Sequence, residues 1–156
     1  MKALQIDEKN ARTFYKEASK AFKAALEDTF GKEFFSEKIT DRIKTFEDAC
    51  AKLGLLPEQV IPGFGVTISK DEIAYRKLKI IAEALNEGWK PDWTDSNQYK
   101  YFPWLEYSRS ASGLVYSCTY YSFTSTFIGS RLCFKSKELA LYIGEQFIDL
   151  YNEYLN

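Results

Sequence analysis

Histidine does not occur in the 156 residues. Its absence removes Ser-His-Asp and Cys-His catalysis, histidine-containing zinc sites, and the one side chain that titrates near neutrality unaided. Cysteine is scarce: Cys50, Cys118 and Cys133 are too few for a four-thiolate zinc site and odd in number for a disulfide framework. Each has apolar neighbours, so the three read as small buried hydrophobes in a reducing compartment. Neither sign of charge dominates, because 21 Lys and Arg face 22 Asp and Glu. The net charge of −1 gives no global field for nucleic acid or an anionic membrane. No apolar run reaches transmembrane length, and MKALQIDEKN lacks the apolar stretch of a signal peptide. The expectation is a cytoplasmic protein without membrane contact. Any catalysis would fall to carboxylates, Lys, Tyr, Arg or an oxygen-ligated metal.

What the chain has in quantity is aromatic surface, 17% of residues, within 46% hydrophobic and 28% charged. That composition is globular, and the length predicts a single domain over 1–156. Three helices are expected first. Residues 10–29 carry Phe14, Ala18, Ala21, Phe22 and Ala25 at helical spacing, with Gly31 as a stop. Thr40 can cap a second helix through Ile43, Phe46, Cys50 and Leu53 to Gly54, and Ser69 with Glu72 a third, through Leu78, Ile81 and Leu85 to Gly88. The lysines of the first helix, Lys9, Lys16, Lys20 and Lys23, alternate with Glu8, Glu17 and Glu27 as on a solvated face. Pro57 can open a short turn in the Pro- and Gly-rich connector that follows the second helix. The GFG at 63–65 lacks the lysine and further glycine of a phosphate loop.

After the third helix the period shortens from about 3.6 to about 2. Tyr99–Tyr107 and Gly113–Thr124 read as a hairpin across SRSASG, and RLCFK at 131–135 as a third short strand after a turn at Gly129 and Ser130. Ser136 caps a last helix with Leu139, Ile143, Phe147, Leu150 and Tyr151 on one face. Gly144 inside that helix points to a close backbone approach. The fold class is α+β: three N-terminal helices, a small antiparallel sheet of about three strands, and a C-terminal helix packed on the sheet.

Chemistry, if any, concentrates at NEGWKPDWTDSNQYKYFPW, residues 86–104, where Pro103 suggests an edge strand or a bulge. Trp89, Trp93, Tyr99, Tyr101 and Trp104 can anchor a protein partner or stack on bases or sugars, and Arg109, Arg131 and Lys135 can meet phosphates. The same rings can equally lock helix to sheet, since aromatics bury large areas. Asp92, Thr94, Asp95, Ser96, Asn97 and Gln98 offer alternating oxygens, but a calcium loop's glycine and distal glutamate are missing, and these residue types favour turns. Asp92, Asp95 and Glu106 could support carboxylate hydrolysis only if two were held close in a cleft.

The runs ITDRIKTFEDACAKLG, KLKIIAEALNEGWKPDWTDSNQYKYFPW and GSRLCFKSKELALYIGEQFIDLY resemble a family of small uncharacterised proteins of gut bacteria and of their phages and prophages. The resemblance spans residues 38–155, implies a phage or mobile-element role, and assigns no catalytic residue. The expected function is a non-enzymatic binding protein, with no cofactor or metal, that meets a protein partner through an aromatic surface. The alternatives are a single-stranded nucleic-acid module, disfavoured by net charge, and a carboxylate-based hydrolase.

Overall fold

The computed structural model describes residues 6–35, 38–61, 67–125 and 130–155. The chain forms two compact units, Met1–Arg42 and Ile43–Asn156. In the first, the expected single helix is two, α1 (Glu8–Glu17) and α2 (Lys20–Phe30). Ala18 and Ser19 are extended, and Ser19 Oγ accepts from the Phe22 N–H at 3.4 Å. A hydroxyl that can cap therefore competes with helix continuation. The break resets the helical phase: Phe14 and Phe22 are exposed, while Ala11 and Leu26 are buried. Gly31 ends α2 at φ +84° as expected, donating to the Glu27 carbonyl at 2.8 Å. A 3₁₀ turn (Glu33–Phe35) follows, then α3 (Ile39–Arg42). Tyr15 stacks on Phe35 at 4.1 Å between centroids, and Arg12 lies 4.0 Å over Phe34.

Thr40, the expected second cap, lies within α3. The cap is Thr45, at the head of α4 (Phe46–Leu53). Its Oγ1 accepts from the Asp48 N–H at 3.1 Å, and Asp48 Oδ2 accepts from the Thr45 N–H at 2.9 Å. This reciprocal box satisfies two helix-end amides at once, which Thr40 with Ile43 three residues on cannot do. Gly54 ends α4 at φ +69°, and Pro57 opens α5 (Pro57–Val60). Gly63–Gly65 and Gly129 lie outside the described residues. Next comes α6 (Lys70–Asn86), with Ser69 at the capping position although its hydroxyl makes no bond to the helix backbone. Glu87 at φ +50° and Gly88 at φ +86° turn the chain out of the helix.

The core of the second unit is built on α6. Its Ala74, Leu78, Ile81, Ala82 and Leu85 are fully buried, and the helix packs against α4 and against α8 (Ile148–Leu155). Each buried Leu or Ile contributes about 1.5–3 kcal/mol. The sheet has two antiparallel strands, β1 (Lys100–Ser108) and β2 (Gly113–Ser122). Trp104 faces Cys118 and Leu105 faces Tyr116, which leaves Ser117 as the extra residue of a bulge.

The third strand expected at 131–135 does not form. A 3₁₀ turn (Ser130–Leu132) and the cap of α7 (Lys137–Gln146) at Ser136 leave only a short extended stretch between them. Phe134 makes one bridge to Tyr101, each N–H reaching the other's carbonyl at 3.0 and 2.7 Å. On its other side, Cys133 C=O and Lys135 N–H are taken by the Asn86 side chain at 2.9 and 3.0 Å. Asn152 of α8 does the same at the outer edge of β2, accepting from Leu114 N–H at 2.7 Å and donating to Leu114 C=O at 3.0 Å. Two asparagine amides thus stand where further strands would.

The expected single last helix breaks at Phe147 (φ −116°, ψ 28°) into α7 and α8. The first half packs on both strands. A Cβ at Gly144 would lie 2.6 Å from the Tyr116 ring and 2.9 Å from Pro103 Cβ, the close approach its position suggests. Pro103 causes no loss in the ladder. Tyr101 turns its N–H and C=O away from β2 to Phe134, so Pro103, two residues on, presents its nitrogen to the same outer side.

Candidate functional site

Strand alternation and the bulge sort the hairpin into two faces. Tyr101, Pro103, Tyr121 and Thr119 share one, joined beyond the bulge by Leu105, Tyr116 and Leu114. Phe102, Trp104, Tyr120 and Cys118 share the other. Gly144 of α7 closes the first face over Pro103 and Tyr116. Toward the open end of the hairpin the same face carries four rings in mutual contact. Tyr99 and Tyr101 lie near-parallel at 6.0 Å, Phe123 is 4.7 Å from Tyr99, and Tyr121 meets Tyr99, Tyr101 and Phe123 edge-on at 5.2, 6.1 and 5.5 Å. Tyr99, Tyr121 and Phe123 are 44, 53 and 37% exposed. Rings this close touch one another and leave no room for a cation between them, so the group is a raised patch rather than an aromatic cage.

The expected site does not assemble as one surface. Trp104 is on the opposite face, 5.0 Å from Tyr120, and the two are 44 and 52% exposed. Trp89 is half-buried just past α6, where its N–H donates to the Asn86 carbonyl at 3.0 Å. Trp93 is half-buried with the Lys100 ammonium 5.4 Å from its ring. Arg109 is exposed in the hairpin turn, eight residues and so roughly 26 Å of strand from Tyr101. Lys135 pairs with Glu87 at 3.2 Å. Arg131 is exposed in the 3₁₀ turn, three residues before the bridge of Phe134 with Tyr101.

The oxygen-rich stretch is a set of turns. Asp92 Oδ1 accepts from the Thr94 N–H and hydroxyl at 2.9 and 2.7 Å, Asp95 Oδ1 from the Asn97 N–H at 2.8 Å, and Gln98 Oε1 from the Asp92 N–H at 2.6 Å. The Thr94 hydrogen bonds hold the Asp92 carboxyl below its ordinary range, the opposite of what a general acid needs. Among the described residues no three His, Cys, Asp or Glu side chains are grouped to hold a metal. Burial raises the Cys133 thiol to about 11 and also lifts Cys50, which makes both inert at neutral pH. Cys118 is only half-buried. An open groove of about 750 Å³ lies at the turn end of the hairpin, lined by Leu114, Tyr116, Asn152 and the exposed carboxylates Glu145, Asp149 and Glu153.

Two features of the region escaped the residue pattern. Lys100 is fully buried, its ammonium donating to the Asp95 carbonyl at 3.0 Å and facing Trp93. A lysine beginning a strand carries no sequence mark of burial; only its nearness to Trp93 hints at it. Phe123 completes the patch beside Tyr99 and Tyr121, and its alternation with Thr119 and Tyr121 was the available signal. No described helix is long and apolar enough to cross a membrane. Comparison with family models, curated proteins and solved structures finds no match for the chain.

Proposed function

We propose that this is a non-enzymatic binding protein that meets a protein partner through the aromatic patch of its hairpin. The observation that carries the reading is the ring group Tyr99, Tyr101, Tyr121 and Phe123, packed on itself yet open to solvent on three members. Rings immobilised by their neighbours lose little further entropy on binding, and Tyr supplies both apolar area and a hydroxyl at a protein interface. Stacking of nucleic acid would need cations flanking the rings. Arg109 is far along the strand and Lys135 is engaged by Glu87, so of the three expected cations only Arg131 stands exposed near the bridge, and one cation favours protein over nucleic acid. The phage or mobile-element setting rests on the sequence resemblance over residues 38–155.

The test places a photo-crosslinking residue at Tyr99 in producing cells. The expected result is a discrete protein adduct, abolished by Tyr121→Ser with Phe123→Ser in a chain whose circular dichroism is unchanged. Unfolding of that double variant would assign the rings to stability. Quenching of tryptophan emission by oligonucleotides at low salt would transfer the reading to nucleic acid.

A further inference from the structure

The two outer edges of the sheet are not closed alike. On β1, Tyr101 is bridged to Phe134 and Pro103 has no N–H to offer. On β2 the bridge at Tyr101 sets the parity: Tyr101 opposes Tyr121 and Pro103 opposes Thr119 as unbonded pairs, so Thr119 and Tyr121 turn N–H and C=O outward. Leu114, the outward residue near the turn, is capped by Asn152. The outward backbone groups of Thr119 and Tyr121 have no hydrogen-bond partner among the described residues. Strand edges are ordinarily guarded by charge or proline, yet no Lys, Arg, Asp, Glu or Pro occurs from Gly113 to Ser130.

We infer that the open edge of β2 pairs with β2 of a second copy of this chain, antiparallel about a two-fold axis at Tyr120. Thr119 then exchanges both bonds with the partner's Tyr121, and Tyr121 with the partner's Thr119, so each of the four outward groups is used once per chain. Asn152 limits the open edge to a short segment, which suits a strand meeting itself better than a long foreign strand. An uncharged strand can meet its own copy without like-charge repulsion. On the face opposite α7, Tyr120 would meet its counterpart as a close unbonded pair and extend the Trp104–Tyr120 contact into a row of four rings across the joined sheet. That would account for the 52% exposure of Tyr120 in the single chain.

Sedimentation equilibrium tests this directly. The wild-type chain is expected at twice its chain mass, and Tyr120→Lys and Tyr120→Glu each as monomers with association weakened by more than about tenfold, since like charges then meet on the axis. An equimolar mixture of the two variants is expected to recover a one-to-one dimer. A wild type that stays monomeric at several hundred micromolar, a lysine variant that associates like wild type, or folded variants that fail to recombine would each overturn the inference. Should the charged variants unfold, Thr119→Pro removes one outward N–H without touching the β1–β2 ladder, and dimers that persist in it would overturn the proposal equally. Tyr99, Tyr101 and Phe123 are unchanged in all three variants, so the photo-crosslink at Tyr99 reports on the proposed protein partner separately.

Discussion

Replacing Gly144 by alanine sets two effects of opposite sign against each other. In a free helix the change would stabilise by about 1 kcal/mol, because glycine is the poorer helix former. Here the new Cβ would sit 2.6 Å from Tyr116 Cδ2, 2.9 Å from Pro103 Cβ and 3.3 Å from Tyr116 Cε2. Carbon atoms in contact rest at about 3.5–4.0 Å, so α7 or the sheet must give by roughly 1 Å. Neither obstacle yields easily: the Tyr116 hydroxyl is tied to Thr119 Oγ1 at 2.8 Å, and Pro103 is a ring fixed in β1. Overpacking of this kind costs about 1–3 kcal/mol, and rigid obstacles place it at the upper end. The net expectation is a loss of about 1–2 kcal/mol, seen as a fall in Tm of about 2–8 °C. Urea unfolding of Gly144→Ala, Tyr116→Ala and the double variant closes the cycle. Removing the ring takes away two of the three clashes, so the alanine should cost at least about 1 kcal/mol less in the Tyr116→Ala background. A Gly144→Ala protein more stable than wild type would refute the close-approach argument.

Other perturbations separate local from long-range support. Asn86→Ala strands the Cys133 carbonyl and the Lys135 amide and should cost about 2–4 kcal/mol in urea unfolding. Asn86→Asp should not rescue it, because a carboxylate can accept from Lys135 but has nothing to donate to Cys133. The buried Tyr151 hydroxyl has no hydrogen-bond partner among the described residues, so Tyr151→Phe should raise stability by about 1 kcal/mol in the same assay. Asp92 has a folded-state value below the ordinary 3.8, so its contribution to the turn is complete above that value and is lost as pH falls through the lowered one. Hydrogen exchange at the Thr94 amide should follow that acid loss in wild type and show no such step in Asp92→Asn.

The sequence patterns located helices better than helix lengths. Gly54, Pro57, Gly88 and Ser136 mark real boundaries because each acts through its own backbone or side chain. The breaks at Ser19 and Phe147 lie in stretches whose apolar spacing runs on, and a competing cap or a turn in the middle of such a stretch leaves little trace in a periodicity. The RLCFK segment has strand composition but too little chain between a turn and a cap to make a ladder. The aromatic region was legible as a region, not as a site. Trp104 lies three residues from Tyr101 on one strand, so alternation alone turns it to the other face; pairing register and the bulge at Ser117 decide which β2 rings join each face, and register is a property of two strands together. Buried Lys100 and the two asparagine clamps are invisible for a similar reason, since their partners lie in another element or are backbone atoms that any residue supplies.

Those clamps separate two kinds of amide proton within one small sheet. Ladder protons are shielded as soon as two strands adjacent in the chain meet. The protons of Leu114 and Lys135 are instead covered by side chains of α8 and α6, 38 and 49 positions away. Their exchange with deuterium therefore clocks the undocking of helices, whereas the neighbouring ladder protons clock the opening of the hairpin. Residue-resolved exchange on the unmodified protein would then tell whether the sheet and its helical cover unfold as one cooperative block or come apart in sequence, with a side chain serving as the hinge pin.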